Sequence, residues 1–349
     1  MSINRNIRAR AVALGAACFL VLASCSARQS AQYGATHPSA TVQQVYVATQ
    51  RDLDRTGQVF GHERPQGLKY FRNDISVPAG HKPGMIEWPK GKTANPASDF
   101  VVTGTKIFAE PAQMKADMGG PGETLVFVHG YNNTLSDAMY RMAQIQTDFQ
   151  IGMPGVVFSW PSAGDARGYI YDRDSALYSR NDLEELLKVL TKSPSDKVFL
   201  LAHSMGAHLT METLRQIALR GDRQLMNRIS GVVLMSPDID PDLFRSQAQT
   251  IGKLPQPFMI FVSQEDRALT VAGFLTGRKP RLGVIEGPDS VQGLEVQVVD
   301  FTALGDGEGL NHMVPVSSPA GVKVLQGMLA HGQRTNTFIG KYQKLTLLP

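Results

Sequence analysis

From about residue 120 onward, the sequence alternates between continuous apolar runs and stretches with helical spacing. The runs are rich in Val, Leu, Ile and Phe, which is typical of strands buried on both faces. Strands that alternate with helices predict right-handed βαβ units and a parallel sheet. We therefore expect an α/β fold. The apolar runs lie at residues 124–129, 155–160, 197–202, 230–236, 257–263 and 294–301.

One of these runs leads into a candidate nucleophile. Functional residues in such sheets collect beyond the carboxyl ends of the strands, and the run at 197–202 continues directly into the letters HSMG and a helix-forming stretch. A small residue two positions before a serine and a glycine two positions after it form the nucleophile-elbow pattern. Ala202 and Gly206 fit around Ser204, although glycine is more common at the first position. Alternatively, Ser204 only caps the helix, since serine is a favoured N-cap residue.

A serine nucleophile needs a general base, and that base needs an acid that orients it. In this kind of fold the chain order is serine, acid and then histidine. Asp266 follows the second strand after the elbow, and His312 follows the last predicted strand. We therefore predict a catalytic triad of Ser204, Asp266 and His312. Three other carboxylates compete for the role of the acid: Glu265, Asp238 and Asp240.

The remaining histidines near the predicted site are interpreted as poor bases. His203 precedes the serine, and an elbow neighbour is expected to point away from the site. His208 lies further along the same helix, and His331 lies in the closing helix, where a solvated or structural role is expected.

Two backbone amides are predicted to form an oxyanion hole. One is the N–H of Met205, and the other is the N–H of Tyr131 in the letters HGYN that follow the first apolar run. Such a donor contributes about 3 to 4 kcal/mol to stabilising the oxyanion. Alternatively, the Gly-Tyr-Asn turn is an ordinary loop. Residues 161–180 are predicted to form a polar loop over the site, in which Asp172 and Arg173 either contact substrate or pack as a cap.

Composition narrows the class of partner. The 349 residues are 42% hydrophobic and 19% charged, which is ordinary for a globular protein. Three of the four formal positive charges come from Arg5, Arg8 and Arg10, and no basic block follows. This balance argues against a nucleic-acid partner. No motif implies a metal or an organic cofactor, so none is expected.

The amino terminus has the features of a lipoprotein signal peptide. Arginines precede the apolar letters AVALGAACFLVLA, which are too few for a spanning helix. The letters LASC resemble the bacterial lipobox, in which Cys25 is acylated and becomes the mature N-terminus. The only other cysteine, Cys18, lies within the signal, so no disulfide is expected. We expect a lipid-anchored envelope protein, and Ser26 favours the outer membrane, facing the periplasm. The alternative is an ordinary secretory signal or an uncleaved anchor.

The chain is thus divided into five predicted parts. Strands are expected at 41–49 and 99–108, and the role of residues 50–120 beyond adding edge strands and loops stays open. The parts are a signal peptide at 1–24, a flexible tether at 25–40, an N-terminal strand and loop extension at 41–120, a catalytic core at 121–335 and a C-terminal tail at 336–349.

Several segments together resemble a known family. They are FVHGYNNTLSDAMYRMAQI, FSWPSAG, YDRDSALYSR, LLAHSMG, MSPDID and GLNHMV. From about residue 41 to 331 the chain resembles a bacterial α/β-hydrolase family of uncharacterised function. This family is placed in the esterase/lipase superfamily and often occurs as lipoproteins. The resemblance implies the α/β-hydrolase fold and the triad positions, but it supplies no substrate.

The sequence therefore predicts a lipid-anchored serine hydrolase. Its expected substrates are small-molecule or lipid esters or thioesters, as for carboxylesterases, lipases and thioesterases. Amidase or peptidase activity is an alternative, since the same triad serves acyl transfer generally. A second alternative is a non-catalytic envelope lipoprotein that uses the fold for binding. Acyl-chain preference, a moving lid and the oligomeric state are not predicted.

Overall fold

A computed structural model describes residues 29–52, 60–277, 279–305, 310–330 and 343–346. The predicted signal peptide and lipidation site, Cys25, lie outside the described residues, as does His331. Among the described residues, those from Ala31 onward form one unit.

Ten described strands form one sheet in the order β10-β9-β8-β7-β6-β4-β5-β1-β2-β3. All neighbours from β10 to β1 are parallel, and β2 and β3 continue the sheet in antiparallel pairs. The predicted α/β-hydrolase fold with an N-terminal strand extension is confirmed. The strands are β1 (Thr41–Thr49), β2 (Lys69–Val77), β3 (Val101–Phe108), β4 (Glu123–Val128), β5 (Gly155–Ser159), β6 (Lys197–His203), β7 (Ile229–Met235), β8 (Phe258–Val262), β9 (Gln297–Asp300) and β10 (Gln343–Thr346).

Helices cover both faces of the sheet. The strand β4 shows why its apolar run is continuous: Val126 and Val128 pack into one hydrophobic layer, while Leu125 and Phe127 pack into the other. No helix among the described residues is long and apolar enough to cross a membrane. The helices are α1 (Pro111–Asp117), α2 (Leu135–Asp148), α3 (Tyr169–Tyr178), α4 (Arg180–Leu190), α5 (Met205–Leu219), α6 (Arg223–Met226), α7 (Pro241–Ile251), α8 (Arg267–Leu275), α9 (Val314–Ser317) and α10 (Pro319–Ala330).

The largest difference from the sequence interpretation is α3. Residues 161–180 were expected to form a polar loop, but ten of them form this helix. Its buried positions include Tyr169, Asp172, Ser175 and Ala176, so its inner face is largely polar. A helix whose buried face is polar leaves no hydrophobic periodicity in the sequence, and the prediction was wrong for that reason.

Two strands also differ from expectation. The strand β2 was not predicted as such, because its letters KYFRNDISV mix charged and apolar residues. It lies between β1 and β3, and only part of its surface is buried. The strand β10 falls within the stretch interpreted as a C-terminal tail, where it pairs in parallel with β9 at the edge of the sheet.

The segment between β2 and β3 is joined to the core by a buried polar network. Its His81 lies between two carboxylates, with Nδ1 2.7 Å from Glu87 Oε2 and Nε2 3.0 Å from Asp148 Oδ1. The Gly84 N–H donates to Asp148 Oδ2 (2.7 Å). Gln144 of α2 donates to the carbonyl oxygen of Val316 in α9 (3.1 Å). This network therefore links the N-terminal extension to the helix that follows His312.

Candidate active site

Ser204 occupies a strained turn between β6 and α5. Its backbone has φ 53° and ψ −119°, a conformation that non-glycine residues rarely adopt and that costs about 1 to 3 kcal/mol. Ser204 holds the N-cap position, but within the described first turn of α5 its side chain makes no capping hydrogen bond. The residue thus begins the helix without acting as its side-chain cap, so its hydroxyl is not committed to stabilising α5.

The residues around Ser204 explain the spacing of the motif. A Cβ at Gly206 would lie 2.3 Å from the carbonyl oxygen of His129 and 2.4 Å from that of Val128, so no larger residue fits. Ala202 is fully buried and shows that a methyl group is accommodated on the other side of the turn. The irregular first letter of the elbow is therefore compatible with the turn.

The structure brings Asp266 and His312 together. Asp266 is fully buried at the N-cap of α8, and its Oδ2 lies 2.6 Å from Nδ1 of His312. Its other oxygen accepts the Leu269 N–H (2.9 Å), which fixes the carboxylate in place. With Nδ1 donating to Asp266, the ring nitrogen that remains for proton exchange is Nε2. The structure thus contains the acid–base pair that the sequence predicted, although the catalytic roles stay predictions.

Two of the competing carboxylates, Asp238 and Asp240, have other partners. Asp238 accepts from Arg281 Nε (2.5 Å) and from the Tyr169 hydroxyl (2.8 Å). Asp240 caps α7 through the N–H groups of Asp242 and Leu243. Asp238 and Arg281 are both buried, so this pair is a structural ion pair beside the elbow. Of the alternatives, only Asp266 contacts His312 among the described residues.

His203 does not point away from the site as expected. Its ring packs against the ring of His312 with centroids 4.6 Å apart, and its Nε2 donates to the carbonyl oxygen of His312 (3.1 Å). Burial, followed by the neighbouring His312, holds the pKa of His203 well below its usual value. His203 is thus a neutral residue that contacts the predicted base directly. The sequence expectation failed because β6 extends to His203, whose side chain lies on the same face as the His312 loop.

The loop after β4 runs beside Ser204. A Cβ at Gly130 would lie 2.9 Å from Cβ of Ser204, so only glycine allows the backbone to approach this closely. Asn132 has a positive φ of 58°. Tyr131 lies between them, and its hydroxyl donates to the carbonyl oxygen of Ala166. The amides of Tyr131 and Met205 are therefore on the two backbone segments that flank Ser204, and their assignment as an oxyanion hole stays a prediction.

Asp172 holds two loops together instead of facing solvent. One carboxylate oxygen accepts the Asn132 N–H (2.9 Å) and the Ser162 hydroxyl (2.6 Å), and the other accepts the Ala163 N–H (2.6 Å). Burial raises the pKa of Asp172, and these hydrogen bonds oppose the rise. Asp172 therefore packs within the segment that covers the site, which is one of the two roles that the sequence left open. Arg173 lies half-buried at a small recess that it shares with Met205 and His208.

The sequence interpretation missed Arg51. This buried arginine donates to the Ser159 hydroxyl (3.1 Å) and to the carbonyl oxygens of Asn133 (2.9 Å) and Ser162 (3.0 Å). It therefore braces the loops after β4 and β5 from within the extension. Arg51 follows the carboxyl end of β1, which pairs in parallel with β5. Because functional residues collect beyond the carboxyl ends of such strands, this position could have identified Arg51 as a residue of the site.

No group of three or more His, Cys, Asp or Glu side chains among the described residues is arranged to hold a metal ion. The polar groups described above are instead matched to one another or to backbone amides. Proton transfer between the Ser204 hydroxyl and His312, and the binding of an anionic oxygen at the amides of Tyr131 and Met205, stay predictions for this arrangement.

Two solved structures to which this chain is similar share little of its sequence. The dienelactone hydrolase of Anabaena variabilis is 12% identical, with 83% of this chain and 96% of that chain covered and a TM-score of 0.39. Brefeldin A esterase, a bacterial homologue of human hormone-sensitive lipase, is 15% identical, with 86% and 80% covered and a TM-score of 0.37. At this level of similarity, the activities of these two proteins do not indicate the activity of this chain.

Sequence comparisons are more specific. An uncharacterised protein from Nostoc sp. is 40% identical over 63 residues, and the match spans 18% of this chain and only 16% of that protein. The family described as alpha/beta hydrolases of unknown function matches residues 111–329, which include the elbow, Asp266 and His312. This match covers more than half of the sequence. The chain therefore belongs to the family of alpha/beta hydrolases of unknown function.

Proposed function

We propose that the protein is a serine hydrolase that cleaves carboxylic esters, including thioesters, with Ser204 as nucleophile, His312 as general base and Asp266 as the orienting acid. The observation that carries this proposal is the 2.6 Å contact between Asp266 and His312. The strained backbone of Ser204 supports it, because strain of this kind is retained where it serves function.

In the proposed reaction, Oγ of Ser204 bonds to the substrate carbonyl carbon while its proton passes to Nε2 of His312. The backbone amides of Met205 and Tyr131 bind the oxyanion that forms. The bond to the leaving oxygen or sulfur then breaks, and the leaving atom takes the proton from His312. Water attacks the acyl group next, gives a proton to His312, and Ser204 regains that proton as the carboxylic acid leaves.

The close packing around the elbow supports the proposed oxyanion hole. Gly130 lies against Ser204, and the next N–H along the chain belongs to Tyr131. The loop that carries this amide is held by Asp172 and Arg51, so its donors need little reorganisation during the reaction. Such preorganisation favours catalysis over the alternative of a binding-only protein.

Lipid attachment at Cys25 and an outer-membrane location facing the periplasm form a separate part of the proposal. They depend on the letters LASC and the preceding apolar stretch of the sequence. Radiolabelled palmitate should be incorporated into the full chain but not into Cys25→Ser, and the wild-type protein should partition with outer-membrane fractions. Equal labelling of the two proteins would rule out Cys25 as the acylated residue.

A fluorophosphonate probe tests the nucleophile. The wild type should be labelled and should hydrolyse a panel of p-nitrophenyl esters, while Ser204→Ala should lose both properties. Ser236→Ala is a matched control, because Ser236 is also buried, has a positive φ of 43° and directly follows the neighbouring strand β7. Labelling of Ser204→Ala at the wild-type rate would refute the assignment of Ser204.

A substrate panel tests the bond that is cleaved. Oxygen esters, thioesters and amides with the same acyl group should be compared at equal concentration, and turnover of oxygen esters or thioesters is expected. Turnover of amides alone would replace the ester proposal with amidase activity. If the folded protein turns over no acyl substrate and resists the probe, the binding-only alternative holds.

A further inference from the structure

We propose that His203 is a positioning residue that fixes the His312 backbone relative to the nucleophile through the hydrogen bond from its Nε2–H to the His312 carbonyl oxygen. This inference rests on the proposed function, in which His312 is the base. The hydrogen bond measures 3.1 Å and joins the residue directly before Ser204 to the predicted base itself.

The partner of His203 defines its tautomer. A carbonyl oxygen can only accept a hydrogen bond, so Nε2 of His203 carries the proton. Its ring is buried, and burial keeps the ring neutral by lowering its pKa. The nearby cationic groups of His312, Arg141 and His129 also lower the pKa of His203, while its hydrogen bond to the His312 backbone opposes them, and the net direction is downward. His203 therefore stays a donor at Nε2 while His312 gains and loses its proton.

Packing leaves the His203 ring little freedom. Its ring contacts that of His312 with centroids 4.6 Å apart. Gly130 also lies close to the ring, since a Cβ at residue 130 would be 2.7 Å from Nδ1 of His203. The donor is thus held between the predicted oxyanion loop and the predicted base.

His312 is consequently held at two points. Asp266 binds its side chain at Nδ1, and His203 binds its backbone at the carbonyl oxygen. The first contact orients the ring, and the second sets the distance of the main chain from the elbow. Because His203 and Ser204 are consecutive, a shift of the His312 backbone away from the nucleophile would lengthen or break this hydrogen bond. An error of about 1 Å in such positioning can lower a rate about 100-fold.

The test compares two substitutions at residue 203. His203→Phe keeps a ring but removes the donor, and we expect kcat to fall about 10- to 100-fold with little change in KM. His203→Gln keeps an N–H donor near the position of Nε2 and should restore most of the lost activity. If His203→Phe does not fold, His203→Leu removes the donor with a smaller side chain and takes its place, with the same expected loss.

His208 offers a matched control. It is also a buried histidine whose pKa is lowered by burial, and it lies four residues beyond Ser204. His208→Phe and His208→Gln should therefore leave kcat close to the wild-type value. If the His208 variants lose as much kcat as His203→Phe, the loss comes from disturbed packing in general, and the inference is overturned.

Proton NMR gives a readout that does not depend on turnover. The proton shared by His312 Nδ1 and Asp266 should give a low-field resonance in the wild type and in His203→Gln. In His203→Phe that resonance should broaden or shift, because the backbone of His312 is no longer fixed. A folded His203→Phe protein with wild-type kcat and an unchanged resonance would overturn the inference.

The pH profile separates positioning from proton transfer. In His203→Gln the acidic limb of kcat/KM should persist, because the proposed base, His312, is still present. Loss of that limb, with His203→Gln as inactive as His203→Phe, would mean that His203 is itself the base and would also overturn the inference. If no protein, the wild type included, hydrolyses an ester, the proposed function fails and the resonance alone decides the role of His203.

Discussion

Gly84 lies directly against the backbone of Ser317, so closely that a Cβ at residue 84 would be 2.3 Å from the Ser317 carbonyl oxygen. Gly84 also has a φ of +87°, which favours glycine. The helix α9, which ends at Ser317, begins two residues after His312. This contact joins the N-terminal extension to the segment that carries the predicted base.

Gly84→Ala should therefore destabilise the protein and lower its activity. Strain at the positive φ alone costs about 1 to 3 kcal/mol, and the clash with Ser317 adds to this by pushing α9 away. Compared with the wild type, Gly84→Ala should have a lower urea midpoint and a lower kcat for the esters that the wild type hydrolyses. Gly80→Ala is the control, because a Cβ at Gly80 meets nothing within 4 Å. Equal midpoints for the two variants would contradict this account of the contact.

Arg51 should be required for the arrangement of the loops at the site. Arg51→Met removes donors to Asn133 and Ser162 and takes a cation away from the buried Asp172. A buried acceptor left without its donor typically costs about 1 to 3 kcal/mol, and we expect a reduced free energy of unfolding together with a reduced kcat. Arg167→Met, on the exposed part of the same loop region, should change neither measurably.

The stability of the protein should depend on the protonation of His81. Burial alone would lower its pKa, but hydrogen bonds with Asp148 and Glu87 outweigh burial and raise the pKa to about 9. Because the folded pKa lies above the ordinary value of about 6.5, the stabilisation is fully present below that value. It is lost as the pH rises through about 9.

Chemical denaturation at pH values from 6 to 10 measures this effect. The wild-type free energy of unfolding should fall across the upper part of the range by on the order of 1 to 3 kcal/mol. His81→Gln should be less stable at pH 6 and should show a flatter dependence on pH. The same slope in both proteins would mean that another group causes the fall.

Asp266 and Asp238 should respond differently to loss of charge. Asp266→Asn should lower kcat by on the order of 10⁴-fold while the protein stays folded, because the tautomer and orientation of His312 would be wrong. Asp238→Ala should instead lower the free energy of unfolding by about 3 to 5 kcal/mol, because Arg281 would be left buried without a partner. Comparing kcat with the urea midpoint for both variants measures the difference. A large loss of kcat in a fully stable Asp238→Ala protein would contradict the roles assigned to the two acids.

The sequence was informative where burial and backbone geometry restrict residue choice. Buried parallel strands need continuous apolar residues, so β4 to β8 were predicted close to their observed positions. The turn at Ser204 demands a small residue at 202 and glycine at 206, and chain order then leads to Asp266 and His312. These predictions depend on strand burial, turn geometry and chain order, all of which can be read from short stretches of sequence.

The rest depends on contacts between distant parts of the chain. Arg51 contacts Ser162, more than one hundred residues away. Its place after β1 marks it as a candidate for the site, but the neighbouring residues do not indicate that it is buried or which loops it binds. The inner face of α3 is polar because Asp172 binds backbone amides of two loops. The orientation of the His203 side chain was predicted wrongly for a similar reason. Its partner is the backbone carbonyl of His312, and every residue has such a carbonyl, so the sequence does not indicate the contact.

The position of β1 in the sheet shows that the folded unit extends beyond the residues that the family match covers. The family match begins at residue 111, yet β1 lies inside the sheet, between β5 and β2, and Arg51 follows it. A fragment cut at the start of the match would turn β5 into an exposed edge strand, which is prone to pair with other chains. It would also lack the arginine that braces the loops of the site. Boundaries taken from family matching alone would therefore yield a piece of this protein that aggregates, even though it contains every residue of the predicted triad.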